Sequence, residues 1–107
     1  RAVVKPVVPR QRAVQDIEEA VDRYLVDADA AVAVGFVDEL ERAFRQLGEH
    51  PASGSPRWAE ELRIPGLRSW PVGRYPYLVF YREDDDRVDV WRVLHVRRDM
   101  AGELPSP

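Results

Sequence analysis

The sequence predicts an α+β domain of order β-α-α-β-β-β, with an antiparallel helix hairpin packed on one face of a small, mainly antiparallel sheet. Three observations lead there. Residues 13–26 and 30–48 carry apolar side chains at three- and four-residue spacing, the signature of amphipathic helices. Residues 67–72, 75–82 and 87–97 are rich in Val, Tyr, Phe and Trp and are separated by turn residues, as strands are. With 107 residues the chain has material for one modest core.

Residues 2–8 are apolar apart from Lys5 and read as a first strand ended by Pro9. Pro6 within it argues for a sheet edge, where a missing N–H leaves no ladder bond unmade. In the first helix Val14, Ile17, Val21 and Tyr24, with Leu25, form the apolar stripe, and Asp16, Glu18, Glu19 and Asp22 occupy the remaining surface. Asp29 follows a break and fits an N-cap. The second stripe is Val32, Phe36, Leu40, Phe44 and Leu47. Two helices joined by two or three residues fold back on each other, and the strands are the only surface on which to bury their seam.

Residues 51–56 form a loop by composition, and 58–64 read as either a helical turn or an irregular crossing. Gly73-Arg74 permits a hairpin between the next two strands, and 83–86 is a charged turn before the last. Alternation places Leu78 and Phe80 on one sheet face and Tyr77, Val79 and Tyr81 on the other. It sets Val88, Val90, Arg92, Leu94 and Val96 against Asp89, Trp91, Val93, His95 and Arg97. Both faces are apolar, so one is assigned to the helices and the other to a partner. From about residue 100, Gly and Pro predict a loose tail to a single domain spanning 1–107.

Composition narrows the function. No apolar run approaches the roughly 18 residues of a membrane span, and no signal-peptide pattern opens the chain. The absence of cysteine removes disulfides and thiolate chemistry and fits a reducing, cytoplasmic setting. Lys5 is the only lysine, against 15 arginines. The net charge of −3 is unevenly spread: residues 13–50 hold ten acids and three arginines, whereas 57–99 hold nine arginines and eight acids. That balance disfavours direct, tight binding of nucleic acid. There is no phosphate-binding glycine loop or HExxH, and two histidines are too few for a His-rich metal centre, so no cofactor or metal is expected.

One constellation bears chemistry. Arg82, Arg92, His95, Arg97 and Arg98, with Tyr77 and Tyr81, fall on adjacent strands near one end. Arginine forks hold phosphate and His or Tyr moves protons, so the group fits a metal-free nuclease. The same arginines equally suit ion pairs with Asp84, Asp85, Asp86 and Asp89, and the near-zero local charge favours a contact surface. Trp58, Trp70 and Trp91 suit core and interface alike.

Taken in order, the motifs resemble the ParE toxins of the RelE/ParE superfamily of type II toxin–antitoxin pairs. They are Ala13-x-x-Asp16-Ile17, Tyr24-Leu25, Phe36-x-x-x-Leu40 with Leu47, Pro51-x-x-Gly54, Leu67-Arg68, Tyr75-x-x-x-Val79-Phe80-Tyr81-Arg82 and Val90-x-Arg92-Val93-Leu94-His95-x-Arg97-Arg98-Asp99. The resemblance implies a bacterial plasmid-stabilisation type of toxin held by a ParD-like antitoxin in a heterotetramer or larger complex, with operator DNA bound only through the antitoxin. It implies DNA gyrase as the target, inhibited by binding rather than catalysis. The expected antitoxin or target contacts are Tyr77, Tyr81, Trp91, Arg92, His95, Arg97 and Arg98. The alternative is a RelE-like, ribosome-dependent mRNA endonuclease using His95, Arg82 and Arg92. RelE-like toxins resemble strongly basic proteins with lysines at the cutting site, which this chain lacks; a third reading is an inactive member that only binds its antitoxin.

Overall fold

A computed structural model describes residues 3–98 and 100–105. The elements are β1 (Val7–Pro9), α1 (Gln11–Asp27), α2 (Ala30–Glu49), α3 (Arg57–Leu62), β2 (Leu67–Val72), β3 (Tyr75–Glu83), β4 (Val88–His95) and α4 (Met100–Glu103), with a 3-10 turn at Pro51–Ser53. The sheet order is β1-β4-β3-β2. β1 runs parallel to β4, and the other pairs are antiparallel. The predicted architecture is found, with the first strand at the sheet edge, but that strand is shorter than expected: residues 3–6, Pro6 included, precede it, and Pro9, expected to end it, is its last residue; residue 2 lies outside the described residues.

The helix hairpin forms for the reasons its sequence supplies. Asp29 accepts the Val32 amide at 2.9 Å, satisfying one of the amides that a helix start leaves unpaired. The buried seam is built on Ala13, Ala20, Phe36, Leu40, Ala43 and Leu47. Alanine contributes more to it than the predicted stripe allows, because small side chains let the helices approach the sheet closely. Val14, expected on the seam, is 39% exposed, and Ala13 takes the buried place. At Gly48 a Cβ would lie 2.8 Å from the Lys5 carbonyl oxygen, so glycine lets the end of α2 meet the segment that leads into β1.

The largest correction concerns the second sheet face. It is not open. Ile64, Leu67, Phe80, Trp91, Leu94, Met100 and Leu104 form a second core there, with Trp58 and Leu62 packed against it. α3 and the C-terminal segment supply this cover. The predicted loose tail is therefore docked as far as it is described: Met100 and Leu104 are buried. The tyrosines assigned to that face belong to the other one. Tyr77 and Tyr81 pack with Val79 under the helix hairpin.

A β-bulge explains a further departure. Tyr81 pairs with Val90 and Phe80 with Arg92, leaving Trp91 as an extra residue. Strict alternation would put Trp91 and Val93 on one face. The inserted residue shifts the parity, so Val88, Val90 and Val93 join the hairpin-side core while Trp91 and Leu94 join the second core.

The bulge lies where β1 ends, and there α1 takes over the edge of β4. Asp16 accepts the Val93 amide at 3.0 Å and both Nε (2.7 Å) and Nη2 (2.9 Å) of Arg92. Arg92 also donates to the Glu103 carbonyl oxygen at 2.6 Å and pairs with its carboxylate at 3.0 Å. Asp16 and Arg92 are both buried.

Removing one partner of such a pair leaves the other charge buried and unmatched. Asp16→Ala is expected to cost about 3–5 kcal/mol in urea unfolding. Arg12→Ala, which removes an exposed pair with Glu19 at 3.9 Å, is expected to cost under about 1 kcal/mol. Equal effects of the two would show that the buried pair has no special role.

Candidate functional site

The residues predicted to carry function do not converge on one site. Four of the seven expected contacts, Tyr77, Tyr81, Trp91 and Arg92, are buried. Each has a structural occupation. The Tyr81 hydroxyl donates to the Pro51 carbonyl oxygen at 2.6 Å and accepts the Gly54 amide at 2.9 Å, pinning the loop before α3. Burial raises its pKa, which keeps the phenol protonated. Gly54 is required there because a Cβ would come within 2.3 Å of that hydroxyl and 2.9 Å of the Ser69 carbonyl oxygen. Tyr77 stands in a ring cluster with Tyr24, Phe36 and His95, its centroid 5.2 Å from both Phe36 and His95.

Trp91 lies between two guanidinium groups, Arg10 at 4.5 Å and Arg82 at 5.2 Å from its ring centroid. Its Nε1–H donates to Asp89 at 3.0 Å, and Asp89 accepts Arg10 through both carboxylate oxygens. Arg92 is held by Asp16 and Glu103; its side-chain hydrogen bond to Asp16 is the first cause of a raised pKa.

The proposed nuclease set is divided by the sheet. Arg82 lies with Trp91 on the second face, whereas His95 packs on Tyr77 beneath the helices. Arg92, the third member, is buried in its ion pairs. The expected pairing of strand arginines with turn aspartates is limited among the described residues: Arg87 reaches Asp84 at 4.0 Å, and Asp89 pairs with Arg10 rather than a strand arginine.

What remains accessible is the end of β4. His95 is half-buried, and Arg97 and Arg98 are exposed on the turn that follows. The turn is closed by the Arg98 amide, which donates to the His95 carbonyl oxygen at 2.9 Å. The Arg97 amide donates to His95 Nδ1 at 3.1 Å, so Nδ1 presents its lone pair and a neutral ring carries its proton on Nε2. Burial, then Arg97, Arg23 and Arg98, lower the His95 pKa. The imidazole is therefore mainly neutral at pH 7.

A narrow recess of about 20 Å³ opens beside His95, walled by Ala20, Tyr77, Val93 and Leu94 and edged by Asp16, Glu19, Arg23 and Arg98. Prediction from strand chemistry found His95 and Arg98 but missed the α1 contribution. The signal was present: Asp16 follows Ala13 by three residues and precedes Ala20 by four, so it lies on the buried stripe. Among the described residues no group of three or more His, Asp or Glu side chains is placed to hold a metal ion, and no helix is long and apolar enough to cross a membrane.

This fold, a helix hairpin on a four-stranded sheet, is shared with a chain of the chromosomal ParDE TA system from P. aeruginosa. That chain superposes with a TM-score of 0.73 at 18% identity, over 88% of this chain and 98% of its own length. The family model for the ParE toxin of type II toxin–antitoxin system, parDE, matches residues 7–100. The chain belongs to the ParE toxin family. No curated protein sequence matches it significantly.

The His95 environment has a pH consequence. Its folded pKa lies below its unfolded value, so the unfolded state takes up the proton first. The His95 contribution to stability is intact above about pH 6.5 and is lost as pH falls below that value toward the folded pKa. The His95 ring protons should titrate by NMR with a midpoint below 6.5, and His95→Gln should lose less thermal stability than wild type between pH 7 and 5. A midpoint above 6.5 would contradict the described surroundings.

Proposed function

We propose that the chain is the toxin of a ParDE-like pair, neutralised by a ParD-like antitoxin in a hetero-oligomer and acting on DNA gyrase by contact rather than catalysis. Membership of the ParE family over residues 7–100 carries this reading. The dispersal of the nuclease candidates supports the absence of chemistry. A general acid or base must lie within hydrogen-bond reach of the reacting group and beside groups that stabilise its charge. His95 and Arg82 lie on opposite faces, and Arg92 is committed to Asp16 and Glu103. Operator DNA is reached only through the antitoxin, consistent with a net charge of −3. The cytoplasm, where gyrase works, is the corresponding location.

The mRNA-cutting alternative draws on His95 alone, whose neutral ring stands near Arg23, Arg97 and Arg98. Arg92→Ala does not separate the two readings, because it breaks a buried ion pair and destabilises the chain in either case. Arg82→Ala with His95→Ala does separate them. The double variant is expected to stay toxic within about threefold. On induction, wild type should cause double-strand breaks and a DNA-damage response with mRNA intact, and the purified protein should inhibit supercoiling by gyrase. Gyrase activity unaffected by the protein, together with mRNA cuts in translating extracts that the double variant does not make, would sink the gyrase reading and install the nuclease.

A further inference from the structure

We propose that the recess between α1 and the end of β4 is a carboxylate site, taking one oxygen of an acidic side chain presented by a protein partner between Arg23, Arg98 and His95 Nε2–H. The inference deepens the toxin–antitoxin reading and rests on it for the identity of the partner.

Among the described residues, the charge around the recess does not balance. Asp16 is neutralised by Arg92, Glu103 is shared between Arg92 and Arg98 (3.3 Å), and Glu19 faces Arg12. Arg23 and Arg97 have no ion pair or side-chain hydrogen bond among the described residues, so two positive charges stand uncompensated near one half-buried ring. Among the described residues lining the recess, the only acid with capacity to answer them is Glu19, which is exposed and already turned toward Arg12.

The donors suit an oxygen ligand. His95 Nδ1 is occupied by the Arg97 amide, which leaves Nε2–H as a neutral donor in a fixed tautomer. Arg23 adds a guanidinium from α1, and Arg98 another from the turn. Charge-assisted bonds of this kind are about twice as strong as neutral ones. The walls formed by Ala20, Tyr77 and Val93 exclude water from one side and strengthen them further.

Size selects the ligand. A volume of about 20 Å³ holds roughly one water-sized atom. A carboxylate can insert one oxygen and keep the second at the rim. A phosphate would bring three oxygens and a second negative charge toward Asp16 and Glu19.

The test uses the full chain labelled with 15N at pH 7. It is titrated with sodium acetate, with sodium chloride at equal ionic strength, and with inorganic phosphate. Acetate is expected to give saturable shifts at Arg23, His95 and Arg98 and to move the His95 titration midpoint upward, because a bound anion favours the imidazolium. Arg23→Ala and Arg23→Gln, at an exposed helix position, should keep the wild-type Tm, weaken acetate at least tenfold and weaken antitoxin binding by a similar factor. Identical shifts with chloride overturn the site, and tighter saturation by phosphate overturns the choice of carboxylate. Equal antitoxin affinity of wild type and both variants overturns the inference while the toxin–antitoxin reading stands. Saturation by acetate in a chain that binds no antitoxin overturns that reading and the protein source of the ligand, but leaves the pocket.

Discussion

The carboxylate of Asp16 does for β4 what a longer β1 would have done. β1 pairs with β4 only as far as Val90, and beyond it the strand has an unpaired edge in the middle of the molecule. A buried amide without a partner costs about 1–3 kcal/mol, and the Val93 amide would be one. Asp16 accepts it and is charge-balanced by Arg92, which in turn binds the backbone and side chain of Glu103. One carboxylate–guanidinium pair thus joins the first helix, the last strand and the C-terminal segment. Residues 76 and 77 positions apart in sequence meet there. Apolar replacements of similar shape can match such a pair in stability. They would lack its directional bonds to Val93 and Glu103, which set where α1 and α4 lie.

The other sheet margin is closed by different means. Ser69 exchanges backbone bonds with Ser55 at 2.8 and 3.0 Å, and the Leu67 amide donates to the Ile64 carbonyl oxygen. Two residues on from Ser69, Pro71 faces the same direction and has no amide to offer. Such devices remove the row of free groups that makes an edge strand a template for pairing with other chains. With both faces covered and this margin blocked, the sheet presents little surface of its own. At the end of β4 Arg97 and Arg98 are exposed and α1 brings Arg23 alongside His95.

Legibility in the sequence followed the range of the interactions. The hairpin of α1 and α2, the Asp29 cap and the bounds of β2 rest on contacts within a few residues, and each was readable from periodicity or local chemistry. The bulge at Trp91 was not, because alternation carries no mark of an inserted residue unless its partner strand is known. The covers of the second face were missed for a related reason. α3 is six residues and α4 four, too short for a periodic stripe, and both are stabilised by burial of Trp58, Met100 and Leu104 rather than by their own propensity.

The sequence by itself determined the class of fold, the order of its elements and the family resemblance, since these follow from hydrophobic period, turn residues and motif order along one chain. The tertiary structure alone decided which polar and aromatic side chains are free to act. Tyr77, Tyr81, Trp91 and Arg92 look alike in sequence to surface residues of a binding face, and burial commits all four to the interior. His95 is distinguished from them by position: it stands at the last residue of β4, where the sheet ends and helix, strand and turn bring three arginines around one ring. Exposure and proximity are sums over distant segments, and no local pattern encodes them.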